Sequence, residues 1–134
     1  MLRFMLDTNI CAYVIKNYPA QLRSRFDRLA PHLCISAISL CELHYGAENS
    51  ARREQNLEEI ELFRSRIVVL PLEPKAASHY GQLRAYLRRA GTPLGANDLL
   101  IAAHALSEDL TLVTNNRREF DRVPGLRVEN WVEA

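Results

Sequence analysis

Short apolar runs alternate along the chain with longer segments of helical periodicity. Residues 2–6 (LRFML) form an apolar run that ends at Asp7, the pattern of a buried strand. Residues 9–16 and 19–29 read as helices, the second opening with Pro19 in its first turn. Leu33–Ser36 is a second short strand. Ser39 and Glu42 have the spacing of a capping box, which starts a helix running through LHYGAEN. Residues 52–66 place Leu57, Ile60, Leu62 and Phe63 against a charged helical face. Residues 67–70 (IVVL) form a strand stopped by Pro71, and a helix follows from Pro74 to about Ala90, with Gly91 as its stop. The segment 96–109 (ANDLLIAAHALSED) is apolar nearly all round, as only a buried helix is. Strands at 110–114 (LTLVT) and 126–131 (LRVENW) complete the pattern.

Strands alternating with helices predict an α/β domain with a central, mainly parallel sheet of four or five short strands. A length of 134 residues fits a single domain over 1–134 with a core that needs no staples. An apolar fraction of 48% excludes disorder, and no apolar run approaches the ~20 residues of a membrane span. The N-terminus reaches Asp7 too early for a signal peptide, and Cys11, Cys34 and Cys41 have no metal spacing. Free thiols in a cytoplasmic, reducing setting are expected. The net charge of +1, from 17 basic and 16 acidic residues, excludes nucleic-acid binding by bulk charge alone but not a nuclease with local patches.

Sites in parallel sheets form beyond the carboxyl ends of the strands, and several acids fall there. Asp7 follows the first strand, Glu42 lies shortly after the second, and Asp98 opens the buried helix beside Asn97. Asn116 and Glu119 follow the strand that ends at Thr114. Each has an ordinary structural explanation: a helix cap for Asp7, the capping box for Glu42, the helix dipole for Asp98, a polar turn for the rest. As a group they differ, because converging acids repel unless a cation compensates them. Oxygen ligands without His or Cys suit Mg²⁺, with Mn²⁺ as a substitute, and such a cation accepts phosphate oxygens readily. That combination serves phosphodiester hydrolysis.

With MLDTN (5–9), SAISLCELHYGA (36–47), GTPLGANDLLIAAHA (91–105) and LVTNNRREFDRVPGLRVENW (112–131), the chain resembles the PIN-domain ribonucleases, specifically the VapC toxins of bacterial type II toxin–antitoxin pairs. The resemblance covers nearly the whole chain and implies a PIN-like α/β/α sandwich with an Mg²⁺-dependent endoribonuclease site. It makes Asp7 and Asp98 the principal metal-binding aspartates and Glu42 the third acid. The fourth place, often an aspartate in this family, falls near Asn116 and Glu119, either of which would support the attacking water. Thr8, Asn9 and Thr114 match positions that orient the acids through hydrogen bonds. The resemblance further implies structured RNA as substrate, commonly tRNA near the anticodon or a ribosomal RNA loop. It implies a VapB-type antitoxin, a homodimer, and operator DNA bound only through the antitoxin.

Arg84, Arg88, Arg117 and Arg118 adjoin the acidic segments and are candidates to hold RNA phosphates, whereas Arg52 and Arg53 read as a solvated helix start. Tyr13, Tyr45, Tyr80 and Tyr86 are candidates for base stacking, with core packing as the simpler reading of each. The four histidines lack ligand spacing, and Cys41 lacks the partners of a thiol nucleophile. Helices over 38–50 and 52–66 are expected to form an arm in which Leu43, Tyr45, Leu57, Ile60 and Phe63 receive the antitoxin or a second subunit. Two competing classes are a non-catalytic scaffold or co-repressor and a receiver-like phospho-acceptor. The second fails, since Pro71-Leu72-Glu73 follows the middle strand and no lysine follows the last.

Overall fold

The computed structural model describes residues 1–132. Strands β1 (Phe4–Leu6), β2 (Leu33–Ser36), β3 (Val68–Leu70), β4 (Thr111–Val113) and β5 (Val128–Glu129) form one sheet in the order β3-β2-β1-β4-β5. Every pairing is parallel, with Phe4 in register with Leu33 on one side and Thr111 on the other. Helices α1 (Thr8–Lys16), α2 (Ala20–Leu29), α3 (Ala37–Glu48), α4 (Arg53–Arg64), α5 (Pro74–Arg89), α6 (Ala96–Ser107) and the one-turn α7 (Arg117–Phe120) connect and cover it.

The pleat divides the core into two layers. Phe4, Leu6, Leu33, Ile35 and Val113 face one side, against α1, α2, α3 and α4. Met5, Cys34 and Leu112 face the other, against Leu83 and Leu87 of α5 and the apolar body of α6. A slip of one residue would exchange these faces, so burial on both sides fixes the register. The three central strands are wholly buried apart from slight exposure at Phe4 and Thr111, which is why they read as continuous apolar runs. The resulting α/β/α sandwich with five parallel strands matches the architecture expected from the sequence.

Local details differ from the sequence reading. Pro19, after a cis peptide bond, is the N-cap of α2 and not its first turn. The cap of α3 is Ser36, whose hydroxyl accepts from the Ile38 amide at 3.1 Å, so the predicted Ser39–Glu42 capping box does not form. The last ladder residue of β2 thereby starts the helix, and Ser39 is carried inside it, fully buried. β3 is an edge strand with Val68 half exposed, and β5 is only two residues long. The helix α7 was not anticipated: four residues carry no readable period. Gly91 ends α5 as expected, adopting φ 74° just past the Ala90 cap.

The arm is not a separate projection. Leu43, Ile60 and Phe63 are buried in the first core layer and Leu57 packs against it, leaving Tyr45 and Leu62 as its large exposed apolar side chains. Tyr13 and Tyr80 pack partly against the core, whereas Tyr45 and Tyr86 are exposed, contrary to the core reading of each. His104 is structural: it is buried with Nδ1 2.8 Å from Ser36 Oγ, beneath the start of α3.

Candidate active site

From β1 the chain winds outward through β2 to β3, then crosses back to lay β4 on the opposite side of β1. Strand order therefore reverses between β1 and β4, the place where parallel sheets open a crevice at their carboxyl ends. Asp7 is the first residue beyond β1. Its amide donates to the Val113 carbonyl at 2.9 Å, extending the ladder one residue past the strands. Its carboxylate accepts from the Ile10 amide at 2.9 Å, capping α1, and from the Thr114 hydroxyl. Capping and site chemistry are thus not alternatives for this side chain.

Asp7 is only 3% exposed, and burial is the main cause that lifts its pKa from the ordinary 3.8 to about 6. The Thr114 and Ile10 hydrogen bonds oppose the rise, while the charges of Asp98 and Glu42 add to it. Asp98, in the first turn of α6, is half-buried, and its pKa is also raised, first by burial and then by Glu42 and Glu119. Asp7 thus feels the charges of Asp98 and Glu42, and Asp98 those of Glu42 and Glu119.

Glu42 stands one and a half turns into α3, facing α1 and α6. The Thr8 hydroxyl donates to its Oε1, and Asn97 Nδ2 donates to its Oε2 at 3.1 Å. Thr8 Oγ1 also lies 3.2 Å from Ser39 Oγ, so the buried serine backs the arrangement. Asn97 was not among the predicted site residues. Its signal was visible as the polar doublet that opens an otherwise apolar helix.

The other predicted residues divide. Thr114 is buried and bonds both Asp7 and the Asn116 amide. Asn116 caps α7 through its backbone, its carbonyl accepting from the Glu119 amide at 3.2 Å. Asn9 is exposed and makes no side-chain hydrogen bond among the described residues, so it lacks the expected orienting contact. Arg117 is paired with Asp121 at 3.2 Å, and Arg118 is exposed. Arg84 and Arg88 lie exposed on α5, along a groove that reaches the start of α6. Arg53 pairs with Glu48, as a solvated helix start should.

Among the described residues no three His, Cys, Asp or Glu side chains are gathered tightly enough to hold a metal ion by themselves. The donor set is nevertheless suited to one kind of ion. It is all oxygen, Glu42 and Asp98 are partly exposed, and the most buried member carries a desolvation cost that a neighbouring cation would offset. A hard divalent ion that keeps most of its waters needs no closed cage.

Sequence and structure comparisons identify the family. A PIN domain family model matches residues 4–126. The tRNA(fMet)-specific endonuclease VapC of Salmonella typhimurium is 53% identical over 131 residues, spanning 98% of this chain and 99% of that protein. The tRNA(fMet)-specific endonuclease VapC of Shigella flexneri is 56% identical over the same shares of the two chains. The crystal structure of DNA-bound VapBC from Salmonella typhimurium superposes with a TM-score of 0.94 at 53% identity, covering 98% of this chain and 99% of that one. With acids at the β1/β4 reversal and identity above one half along nearly its full length, the chain belongs to the VapC ribonucleases of the PIN-domain family.

Proposed function

We propose that this VapC ribonuclease is an Mg²⁺-dependent endoribonuclease, with Mn²⁺ as a substitute, that cuts initiator tRNA in its anticodon region and so inhibits translation. The reading rests above all on buried Asp7 at the reversal of strand order, with Glu42 bonded to Thr8 and Asn97, the chain neighbours of Asp7 and Asp98. The substrate follows from the tRNA(fMet) specificity named for the Salmonella and Shigella relatives. One PIN domain over 1–134 carries the activity, in the cytoplasm. A VapB-type antitoxin neutralises it, and operator DNA is bound only through that partner, in keeping with the DNA-bound VapBC assembly of the Salmonella relative. The toxin acts as a homodimer.

Asp7 and Asp98 hold the cation. When bound, a divalent cation supplies Lewis-acid polarisation of the phosphodiester and neutralises charge on the leaving oxygen. Glu42, fixed by Thr8 and Asn97, completes the negative rim on the α3 side. Glu119 orients the attacking water from the α7 side, and Asn116 serves the turn that presents it. Thr114 fixes the Asp7 carboxylate. Arg84, Arg88 and Arg118 draw RNA phosphates toward this acidic centre, while Arg117 contributes less because Asp121 holds it.

The test is incubation of the purified protein with total RNA and Mg²⁺, with cut ends mapped by sequencing. Cuts confined to the initiator tRNA anticodon region support the proposal, and a protein that cuts no RNA points instead to the scaffold alternative.

A further inference from the structure

Tyr80, Arg84 and Arg88 recur every four residues on α5, with Leu87 between them, so they form one stripe of the helix surface. The stripe faces Leu94 in the turn before α6 and Leu99 within it, across a groove of about 330 Å³. That is the small end of the ~300–1,000 Å³ range of small-molecule sites. Arg84 Nη1 donates to the Tyr80 hydroxyl at 3.0 Å, and its guanidinium carbon lies 6.0 Å from the Tyr80 ring centroid. An aromatic ring and a guanidinium plane are thus held together on one wall, with apolar side chains opposite.

The charge of this groove is unbalanced. Arg23, Arg53, Arg64, Arg66, Arg117 and Arg127 each pair with a carboxylate. Among the described residues Arg84 and Arg88 have no such partner, and no carboxylate lines the groove. Ala96 and Leu99, which line its α6 end, flank Asp98 in the first turn of that helix. The groove therefore runs past the turn that carries Asp98, with an aromatic wall and two arginines that no carboxylate holds.

Resting on the ribonuclease reading, we infer that this groove is a nucleotide subsite, which takes one unstacked base of the RNA beside the scissile phosphate. The base lies against Tyr80 and the Arg84 plane with Leu94 and Leu99 opposite, and the adjoining phosphate meets Arg88. RNA loops are bound in this way, by splayed bases on aromatic and guanidinium surfaces. A tRNA anticodon loop offers such bases, whereas a duplex does not.

The experiment is titration of the ¹⁵N-labelled full chain, without metal, with AMP, CMP, GMP and UMP, and with ribose 5-phosphate and inorganic phosphate as controls. At least one nucleotide is expected to shift Tyr80, Leu94 and Leu99 saturably, binding about tenfold or more tightly than ribose 5-phosphate. Tyr80→Leu keeps the apolar volume and should lose that advantage, while Arg88→Gln should weaken all the phosphate probes alike. Nucleotides acting no better than ribose 5-phosphate, or a silent groove (including one covered by a second copy of the chain), would overturn the inference. RNA cleavage by the same preparation separates the two readings. A silent groove on an active nuclease sinks only the subsite, and an occupied groove on a protein that cuts no RNA sinks the nuclease reading instead.

Discussion

Asn97 Nδ2 donates to Glu42 Oε2 at 3.1 Å, tying the first turn of α6 to the middle of α3 across 55 residues of sequence. The bond joins the segment that carries Asp98 to Glu42, whose charge adds to the burial that raises the Asp98 pKa. Asn97 therefore positions Glu42 without itself being an acid. Asn97→Ala is expected to lower kcat by ~10–100-fold, the usual cost of losing a partner that orients a site acid. Its side chain is exposed, so the melting temperature should hardly move, with stability changed by no more than ~0.5 kcal/mol. Steady-state kinetics beside thermal melts would check both, and an unchanged kcat would remove Asn97 from the site.

Asp7 makes the metal-free protein sensitive to pH. Its pKa is about 6 in the fold against an ordinary 3.8, so the folded state binds the proton more tightly than the unfolded state does. Its contribution is thus most favourable below pH ~4 and is lost as pH rises through ~6, a change on the order of 3 kcal/mol. Asp7→Asn keeps a good helix cap and removes the titration. In EDTA the variant should be the more stable protein at pH 8, with the advantage shrinking toward pH 4. Added Mg²⁺ should raise the melting temperature of the wild type at pH 8 and have little effect on the variant. Parallel denaturant curves at the two pH values would decide it.

The sheet was legible because its central strands are buried on both faces and leave unbroken apolar runs. Asp7 stood out for the same reason, as the charge that ends such a run. The start of α3 was misread because Ser36 and Ser39 both suit a cap, and only the ladder ending at Ser36 selects between them. With Ser39 inside the helix, Glu42 turns toward Thr8 and Asn97, contacts set by tertiary packing that no local pattern encodes. The α5 stripe was visible as periodic Tyr and Arg, but its facing wall belongs to the turn before α6.

Ser36 joins two tasks: its hydroxyl caps α3 and meets buried His104 at 2.8 Å. Ser36→Ala should cost about 1–3 kcal/mol, through the lost cap and the unsatisfied imidazole nitrogen. Chemical denaturation would measure it. A cost below ~0.5 kcal/mol would mean that neither bond contributes to stability.

Glu119 and Asn116 can be separated by substitution. Glu119 acts on Asp98 through its charge, whereas Asn116 serves the backbone of α7. Glu119→Gln should lower the Asp98 pKa and slow cleavage by about tenfold or more. Asn116→Ala should leave the rate within about twofold of wild type, because the capping bonds are made by its main chain. A carboxyl-resolved NMR titration beside cleavage rates would show whether the order is reversed.

The central claim is that Asp7 and Asp98 hold a divalent cation for RNA cleavage. Its most direct test is single-turnover cleavage of initiator tRNA across an Mg²⁺ titration, by wild type and Asp98→Asn. The wild-type rate should saturate with Mg²⁺ and vanish in EDTA. The variant should be slower by on the order of a hundredfold or more at every concentration. Equal rates for the two proteins, or cleavage that persists in EDTA, would contradict it.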